Sequence, residues 1–438
     1  MKREKIGNIL QMQRGYDLPS SQMKEGNIPV VGSNGIVGYH NTSKCILPTI
    51  TIGRSGSAGK VHYYEEPTWV HNTALYLTDF KENNPKYLYY LLQLLHLEKL
   101  CGSSVIPSLN RNVVYPMVVN FHEDRHEQDA IANILSLIDK KIALNREINR
   151  NLEAMAHQLY DYWFVQFDFP DENRQPYKSS GGKMVWNEKL KREIPEKWDA
   201  ALMKDFLVIG NGKDHKGLET GIYPVYGSGG LMRYVNDFLF SGESVLLPRK
   251  GSLSNFMYVN ESFWTVDTMF YTKEKFRGAA KYIYYSMQYV DITRYNSGTG
   301  VPSMTSISYY AMPFVQPPQD ILNLFDQELT PWIMQSKRNE MEIERLRALR
   351  DELLPLLMNG QVSVMQTAVN CDLYATYRHV LSSDSRSRET QKWMKRLQII
   401  DSTTITLFSS LLFKGVGRHP RYRQKERWHP GTYHHTCQ

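Results

Sequence analysis

Short runs of alternating apolar and polar positions fill two stretches of this chain, and each stretch ends in a long segment of helical spacing. Runs such as SVLLP (244–248) and WTVDTMFYT (264–272) lie between groups of Gly, Ser, Asn and Pro, which predicts short strands joined by turns. The segments that begin near residues 123 and 319 repeat their apolar positions every three or four residues. The pattern predicts an α+β fold in which strands precede a long helix, twice.

The two stretches are copies of one another. PVVGSNGIVGYHN begins at Pro29 and PVYGSGGLMRYVN at Pro224, and the offset of 195 positions persists further along the chain. It aligns Arg54 of TIGRSGSAG with Arg249 of LPRKGSLSN. A solenoid would show several copies of roughly 20–50 residues, so two copies of roughly 200 residues predict two similar mixed domains.

We predict six segments along the chain. They are a first strand-rich domain (1–122), a first spacer helix (123–166), a connector (167–198), a second strand-rich domain (199–318), a second spacer helix (319–360) and a tail (361–438). The connector is rich in charge, Pro, Gly and Ser and shows no sustained period. The tail has no counterpart in the first copy.

The two spacer helices carry apolar seams interrupted by Asn145, Asn149 and Asn339, a pattern typical of coiled coils. The predicted seam residues are Ile138, Ile142, Leu152, Leu159, Ile343, Leu346 and Leu353. Thr330 and Pro331 resemble an N-cap and a first helical residue. Because each helix follows its own domain, an antiparallel pair would place the domains at opposite ends. The alternative is that each helix packs only on its own domain.

Composition narrows the class of protein. The 438 residues are 42% hydrophobic, carry a formal net charge of +7 and contain no run of about 20 apolar residues. We therefore expect a cytoplasmic protein without a membrane segment, for which an anionic partner is one option. The four cysteines lie far apart, which favours reduced thiols. His122 and His126 have the spacing of two zinc ligands, but without a third ligand we predict a solvated helix start.

The duplicated glycine-rich segments have the chemistry that DNA contact requires. Small residues bring backbone amides close to an anion, and arginine can bind guanine or phosphate through two hydrogen bonds. The candidate residues in these segments are Arg54, Ser55, Ser57, Lys60, Arg249, Lys250, Ser252 and Asn255. Asn110, Arg111 and Thr305 are candidates further along the chain because the two copies differ there. Either segment alone is more typical of an ordinary turn with solvated charges. Duplication with the arginine in register favours DNA contact.

The sequence lacks the motifs of an N6-adenine methyltransferase and of a P-loop nucleotide-binding protein. An N6-adenine methyltransferase needs an Asn/Asp-Pro-Pro-aromatic motif, and Pro317 with Pro318 lies instead in VQPPQD. GRSGSAGK has the wrong glycine spacing for a nucleotide-binding P-loop. We predict no catalytic residues, no metal site and no cofactor bound by this chain.

Five passages in order resemble the specificity subunits of type I restriction-modification systems, within residues 1 to about 362. They are GNILQMQRGYDLPSSQ, the repeated VVGSNGIVGYHN and VYGSGG, FDFP followed by PYKSSGGKMVWNE, IPEKW, and EQDAIANILSLIDKKI. The resemblance implies two target recognition domains that each read part of a split DNA sequence, and an antiparallel coiled coil that docks partners.

The resemblance also implies those partners. They are double-stranded DNA, two methyltransferase (modification) subunits and restriction motor subunits. S-adenosylmethionine, ATP and magnesium are expected on the partner subunits, while this chain is expected to be the non-catalytic DNA reader.

The tail resembles a different family. NCDLYATYRHVL and KRLQIIDSTTITLFSSLLFKGVGRHP are similar to part of a DDE-type insertion-sequence transposase, in which Asp401 matches the first metal-binding acid. Glu426 is the one acidic side chain after it, so the fragment lacks the acids of a two-metal site. We expect the tail to be poorly ordered and to have replaced the natural C-terminus. The alternatives for the chain are a decayed or silent specificity subunit fused to a transposase fragment, or a transposase-related enzyme.

Overall fold

The structure is a computed structural model of the chain. It describes residues 1–45, 48–101, 107–296 and 300–362. The transposase-like tail, including Asp401, lies outside the described residues. The described chain divides into two compact units: residues 1–153 with 332–362 form unit 1, and residues 154–331 form unit 2. The predicted α+β class and the two long helices are confirmed.

Unit 1 contains the strands of the first copy. They are β1 (Lys2–Lys5), β2 (Gln11–Arg14), β3 (Ile28–Gly32), β4 (Gly35–His40), β5 (Thr49–Gly53), β6 (Val61–Tyr64), β7 (Trp69–Val70), β8 (Ala74–Asp79) and β9 (Val118–Phe121). One sheet has the order β2-β8-β5-β6, a second has the order β4-β3-β7, and β1 pairs with β9. All five residues of β5 are buried, as its apolar TITIG sequence requires.

The helices of the first copy are α1 (Ile6–Ile9), α2 (Pro85–Leu94), α3 (Arg111–Val114) and α4 (Arg125–Tyr160). The Asn84 side chain caps α2 by accepting a hydrogen bond from the Tyr87 backbone N–H, and Pro85 occupies the first turn. Tyr87 and Tyr90 are buried in the core. These two tyrosines of KYLYYLLQLL therefore pack inside the fold, while Tyr89 is half-buried.

Unit 2 repeats this architecture. Its strands are β10 (Met184–Asn187), β11 (Arg192–Pro195), β12 (Asp199–Leu202), β13 (Leu207–Asn211), β14 (Tyr223–Gly227), β15 (Gly230–Val235), β16 (Phe240–Pro248), β17 (Met257–Thr265), β18 (Met269–Glu274) and β19 (Pro313–Gln316). Its main sheet has the order β13-β18-β16-β17-β14-β15. Val225 opposes Trp264 in the parallel pair β14 and β17, as Val30 opposes Trp69 in β3 and β7. The duplication thus extends to the register of strand pairing.

The helices of the second copy are α5 (Met203–Phe206), α6 (Ala279–Met287), α7 (Ser306–Tyr310) and α8 (Gln319–Met358). The predicted N-cap at Thr330 is wrong, because α8 begins at Gln319 and continues through Pro331. The Thr330 hydroxyl donates to the Asp326 carbonyl at 2.7 Å, one helical turn earlier. Phe325, close to the proline along the helix, is fully buried, and such packing offsets the roughly 3 kcal/mol that an interior proline costs a helix.

The connector between the copies is more ordered than its composition indicates. It contains the antiparallel pair β10 and β11. Phe169 stacks on Trp198 with ring centroids 4.6 Å apart, and the buried Asp168 carboxylate accepts hydrogen bonds from the Ser179 backbone and hydroxyl at 2.7 and 2.5 Å. Periodicity did not reveal this segment because two four-residue strands are too short to establish a period.

Predicted seam residues of the spacer helices meet in unit 1. Ile138 and Ile142 of α4 pack against Ile343 and Leu346 of α8, with Leu353 half-buried against them. Leu152 and Leu159, the other predicted seam residues, are half-buried.

The seam asparagines are hydrogen-bonded. Buried Asn145 donates to Glu342 Oε2 at 2.8 Å, and buried Asn339 donates to Asn149 Oδ1 at 2.7 Å. Asn149 in turn donates to the Ser336 carbonyl at 3.1 Å. These amides therefore avoid the cost of burying an unsatisfied polar group.

The end of α8 completes the core of unit 1. Leu354, Leu357 and Met358 belong to the same apolar cluster as Ile131 and Leu135 of α4. A core that holds residues from both ends of the described chain cannot close until α8 has been made.

His122 lies under the end of α8 and is buried, so the predicted solvated helix start is wrong at this position. Its Nδ1 lies 2.8 Å from Glu127 Oε2, and its Nε2 lies 3.1 Å from the Leu357 carbonyl oxygen. Within the described residues, no group of three or more His, Cys, Asp or Glu side chains is arranged to hold a metal ion. None of the described helices is both long and apolar enough to cross a membrane.

A buried lysine distinguishes unit 2 from unit 1. Lys281 of α6 contacts Asp326, and its Nζ lies 3.0 Å from both Glu243 Oε1 and Thr330 Oγ1. Burial alone would raise the pKa of Asp326, but hydrogen bonds from Lys281 and Arg277 hold that pKa below its ordinary value. The carboxylate therefore stabilises unit 2 at neutral pH, and its contribution is lost as the pH falls through this lowered pKa.

Replacing Lys281 with methionine should destabilise unit 2 by about 3 kcal/mol, because it leaves the buried Asp326 charge with fewer partners. Lys86 is the aligned residue of the first copy, and it makes a more exposed ion pair with Glu65 at 2.6 Å. Lys86→Met should lower the free energy of unfolding by less than about 1 kcal/mol. Hydrogen exchange resolved by peptide measures both variants in the full chain. Equal losses of unfolding free energy in the two variants would contradict the assignment of a stabilising buried ion pair to Lys281.

Candidate nucleic-acid interface

Each copy carries an arginine directly after a buried strand. β5 ends at Gly53 and Arg54 follows it, while β16 ends at Pro248 and Arg249 follows. We call residues 54–60 the first arginine loop and residues 249–255 the second. Because the core fixes each strand, it also fixes where the arginine leaves the sheet.

Backbone hydrogen bonds hold the first arginine loop on both sides. The Arg54 N–H donates to the Thr73 carbonyl and the Leu109 N–H donates to the Arg54 carbonyl, both at 2.8 Å. The Gly56 N–H donates to the Pro107 carbonyl at 3.2 Å. The loop is therefore pinned between the turn before β8 and the segment before α3.

The second arginine loop repeats these bonds 195 positions later. The Arg249 N–H donates to the Thr268 carbonyl at 2.8 Å, and the Met304 N–H donates to the Arg249 carbonyl at 2.9 Å. The Gly251 N–H donates to the Pro302 carbonyl at 3.0 Å. Both copies thus present an arginine from the same backbone scaffold.

Side chains fasten the first arginine loop to the hairpin of β3 and β4, which we call the first hairpin. Ser33 Oγ donates to the Ser55 carbonyl at 2.6 Å, and Lys60 Nζ donates to Asn34 Oδ1 at 2.7 Å. Ser33 and Asn34 form the turn of that hairpin. The turn and the loop therefore form one surface.

The second hairpin, formed by β14 and β15, is fastened in the same place. Asn255, aligned with Lys60, donates from Nδ2 to the Ser228 carbonyl at 2.8 Å. A Cβ atom placed on Gly251 would lie 3.0 Å from Ser228 Oγ. The contact is conserved in position although the residues that make it differ.

The two arginine side chains are available for a ligand. In the part of the chain that the structure describes, neither the Arg54 nor the Arg249 guanidinium donates a hydrogen bond to the protein. Arg249 lies over the Phe270 ring at 5.8 Å, and both it and Lys250 are exposed. Ser252 is also exposed, and a guanidinium held by stacking keeps its donors for an anion or a base edge.

The charge of the first loop at neutral pH does not depend on the neighbouring histidine. Burial lowers the pKa of His62, and the Lys60 cation lowers it further. Half-buried Arg54 and exposed Lys60 therefore supply the positive charge there, with half-buried Ser57 between them in sequence.

The predicted candidates after the arginine loops also have structural roles. The Asn110 side chain caps α3 and the Thr305 side chain caps α7, each accepting a backbone N–H bond. Arg111 Nη1 donates to the Met12 carbonyl at 3.0 Å. These three residues lie next to the segments that bond the arginine loops, and their contact with DNA stays a prediction.

The sequence did not reveal that Thr73 and Thr268 accept the backbone hydrogen bonds of the arginine loops. It also did not reveal that Asn34 and Ser228 accept side-chain hydrogen bonds from these loops. These residues lay inside the repeated passages, but turn residues are common and their partners are distant in sequence. Spacing alone cannot reveal a bond that tertiary folding creates.

Parts of this chain are similar to known proteins. Residues 1–154 match the family model of the type I restriction modification DNA specificity domain. The type I restriction enzyme MjaIX specificity subunit of Methanocaldococcus jannaschii is 24% identical over 318 residues, covering 64% of this chain and 69% of that protein. The HindI specificity subunit of Haemophilus influenzae is 36% identical over 66 residues, covering 15% and 14% of the two chains.

The fold is also shared with a solved structure. The crystal structure of the type I restriction-modification system S subunit from M. genitalium superposes with a TM-score of 0.59 at 17% identity, covering 82% of this chain and 96% of that one. These matches support placing the chain among the DNA-binding restriction-modification proteins. Within that class they support the type I specificity subunit. The family match ends at residue 154 and gives no support to the transposase-like tail.

The scaffold of the second arginine loop can be tested at Gly251, whose φ of +90° is one that L residues rarely adopt. Gly251→Ala should strain the loop by about 1–2 kcal/mol and weaken binding to duplex DNA. Gly217→Ala is the matched control, since a Cβ atom at Gly217 meets nothing within 4 Å. Fluorescence anisotropy with labelled duplex measures both. Equal affinities for the two variants would show that the loop does not contact DNA.

Proposed function

We propose that this chain is the DNA specificity subunit of a type I restriction-modification complex and that each unit reads one half of a bipartite target. The observation that carries the proposal is the duplicated arginine loop. Two backbone scaffolds with the same hydrogen bonds present Arg54 and Arg249, while neighbouring side chains such as Lys60 and Asn255 differ. A common scaffold with different donors and acceptors suits two different half-sites.

The proposal divides the site residues by task. Arg54 and Arg249 contact base edges or phosphates through their free donors, and Lys60 and Lys250 add charge that neutralises phosphates. The predicted candidates Ser55, Ser57, Ser252 and Asn255 complete the two contact sets.

We also propose that α4 and α8 form an antiparallel coiled coil that docks two methyltransferase subunits. The order of contacts supports this: Asp139 bonds Arg350 at 2.9 Å, and further along α4, Asn149 bonds Ser336 at 3.1 Å. Rising numbers on one helix meet falling numbers on the other. Restriction motor subunits would join the same assembly.

The chemistry then belongs to the partners. Methyl transfer to adenine would use S-adenosylmethionine on the methyltransferase subunits, and ATP and magnesium would serve the motor subunits. This chain would set where the reaction occurs by binding the duplex at both half-sites.

The test is a methylome. This chain and a version ending at Val362 are each expressed with the cognate methyltransferase subunit in a host without DNA methylation, and N6-methyladenine is mapped by single-molecule sequencing. The proposal expects a split motif with a fixed spacer. A motif from the shortened version alone would show that the tail blocks assembly. No motif from either version would overturn the proposed function.

Arg54→Ala and Arg249→Ala should each relax recognition at a different half-site, by about 1–3 kcal/mol per lost bidentate contact. Arg→Lys at the same positions is the control, because lysine keeps the charge but loses the planar fork. Binding to duplexes with single half-site substitutions measures the effect. If lysine restores wild-type selectivity, or if alanine weakens binding equally on every duplex, the arginines contact phosphates and do not read bases.

A further inference from the structure

Both hairpins expose large apolar side chains at aligned positions. The exposed fractions are 51% for Ile36, 56% for Val37, 51% for Leu231 and 56% for Met232. Tyr39 and Tyr234, two positions further on, are also exposed. A single exposed apolar side chain needs no explanation, but the same group at the same place in two copies does.

A β-bulge explains why neighbouring residues are exposed together. In the first hairpin Val31 opposes Ile36 and Val30 opposes Gly38, so Val37 is the extra residue. Successive strand residues normally point to opposite faces, and the bulge interrupts that alternation. The first hairpin therefore presents two adjacent apolar side chains.

The second hairpin has the same bulge. Tyr226 opposes Leu231 and Val225 opposes Arg233, which leaves Met232 as the extra residue. Gly230 begins β15 with a φ of +109°, as Gly35 begins β4 with a φ of +108°. Turn, bulge and exposed apolar pair are thus duplicated as one unit.

The apolar pairs lie beside the arginine loops. A Cβ atom placed on Gly32 would lie 3.0 Å from both Val37 Cγ1 and Thr73 Oγ1, and the carbonyl of Thr73 accepts the Arg54 N–H bond. In unit 2 a Cβ atom on Gly227 would lie 2.8 Å from Met232 Sδ. The turn of each hairpin is also tied to its arginine loop, through Lys60 in unit 1 and Asn255 in unit 2, so the loop and the hairpin lie on one surface. Lys216, Asp214 and Asp267 line the surface around Met232.

We infer that each hairpin is an apolar wedge that enters a groove of the duplex and unstacks a base step at its half-site. The inference rests on the proposed function. The arginine and lysine side chains of the neighbouring arginine loops favour a polyanion as the occupant, and duplex DNA combines phosphates with apolar base faces. Proteins that kink DNA insert side chains of this kind, including Ile, Leu and Met, between base steps.

The duplication separates two tasks within each unit. Apolar side chains cannot read the hydrogen-bond donors and acceptors of the bases. A wedge can therefore remain apolar in both copies although the two half-sites differ in sequence. Residues that give the two half-sites different sequences must instead differ between copies. Unstacking would help both units in the same way, since a methyltransferase must extrude its target adenine from the helix and weakened stacking lowers that cost.

The experiment uses the complex of the full chain with its methyltransferase subunits and the target that the methylome defines. Ile36→Ser/Val37→Ser alters the first wedge, and Leu231→Ser/Met232→Ser alters the second. Val118→Ser in unit 1 and Ile222→Ser in unit 2 are matched controls, because their side chains are 48% and 78% exposed and lie outside the hairpins. Affinity is measured on matched duplex and on duplex with a mismatch at the adenine of either half-site.

Each wedge variant should bind matched duplex roughly tenfold more weakly than the wild type does. A mismatch in the affected half-site should restore most of the lost affinity, because the mismatched base step is already unstacked in part. The control variants should bind as the wild type does. The wedge inference would be overturned if no mismatch restored the lost affinity, or if the wedge variants bound matched duplex as tightly as the wild type. Loss of the methyltransferase from the purified complex would show that the hairpins dock protein instead. A wild-type chain that yields no methylated motif would overturn the proposed function, and with it the wedge inference that rests on that function.

Discussion

The packing of α8 against α4 is the interaction on which unit 1 depends. Ile343 and Leu346 cover Ile138 and Ile142, and further along α8, Leu357 enters the core. The strand-rich part of unit 1 therefore lacks a complete interior until the last helix arrives. Long-range closure of this kind carries a loop-entropy cost that the buried apolar surface must exceed.

His122 shows how closely this closure is specified. A buried imidazole whose two nitrogens face the Glu127 carboxylate and the Leu357 carbonyl needs both partners in place, since a buried polar group left unpaired is destabilising. The seam asparagines act similarly, because Asn145 and Asn339 find their partners in one register only. Apolar packing drives the helices together, and these polar bonds select how far one slides along the other.

Backbone geometry explains why the duplication is still visible in the sequence. Gly15 and Gly212 lie where a Cβ atom would come within 2.3 Å of the His71 carbonyl oxygen and 2.0 Å of the Val266 carbonyl oxygen. Gly15 and Gly212 are 197 positions apart, but the carbonyls that they approach belong to the aligned residues His71 and Val266, and a side chain at either glycine would collide with them. An identical residue can still have different surroundings in the two copies, as Lys281 and Lys86 show by occupying aligned positions with different burial.

The sequence was sufficient to predict the strand-rich copies, the long helices and the arginine loops, because repeats and periodicity report local structure and duplication directly. It was insufficient at Thr330, where buried neighbours outweigh a helix-start pattern, and at His122, where the covering residue is Leu357. The bulge at Val37 also left no trace, since one extra residue does not change the composition of a strand. Each failure involves a partner distant in sequence or a single-residue change in register.

Differences at the turn beside each arginine extend the argument from scaffold to recognition. Asn72 precedes Thr73, and Asp267 precedes Thr268, so the two copies place an amide and a carboxylate at aligned positions next to the carbonyls that fix Arg54 and Arg249. An amide both donates and accepts, as adenine recognition requires, whereas a carboxylate only accepts, as cytosine recognition requires. Under the proposed function, a difference at one position of a repeated scaffold would give the two units different preferences, while the hairpins would keep a task common to both.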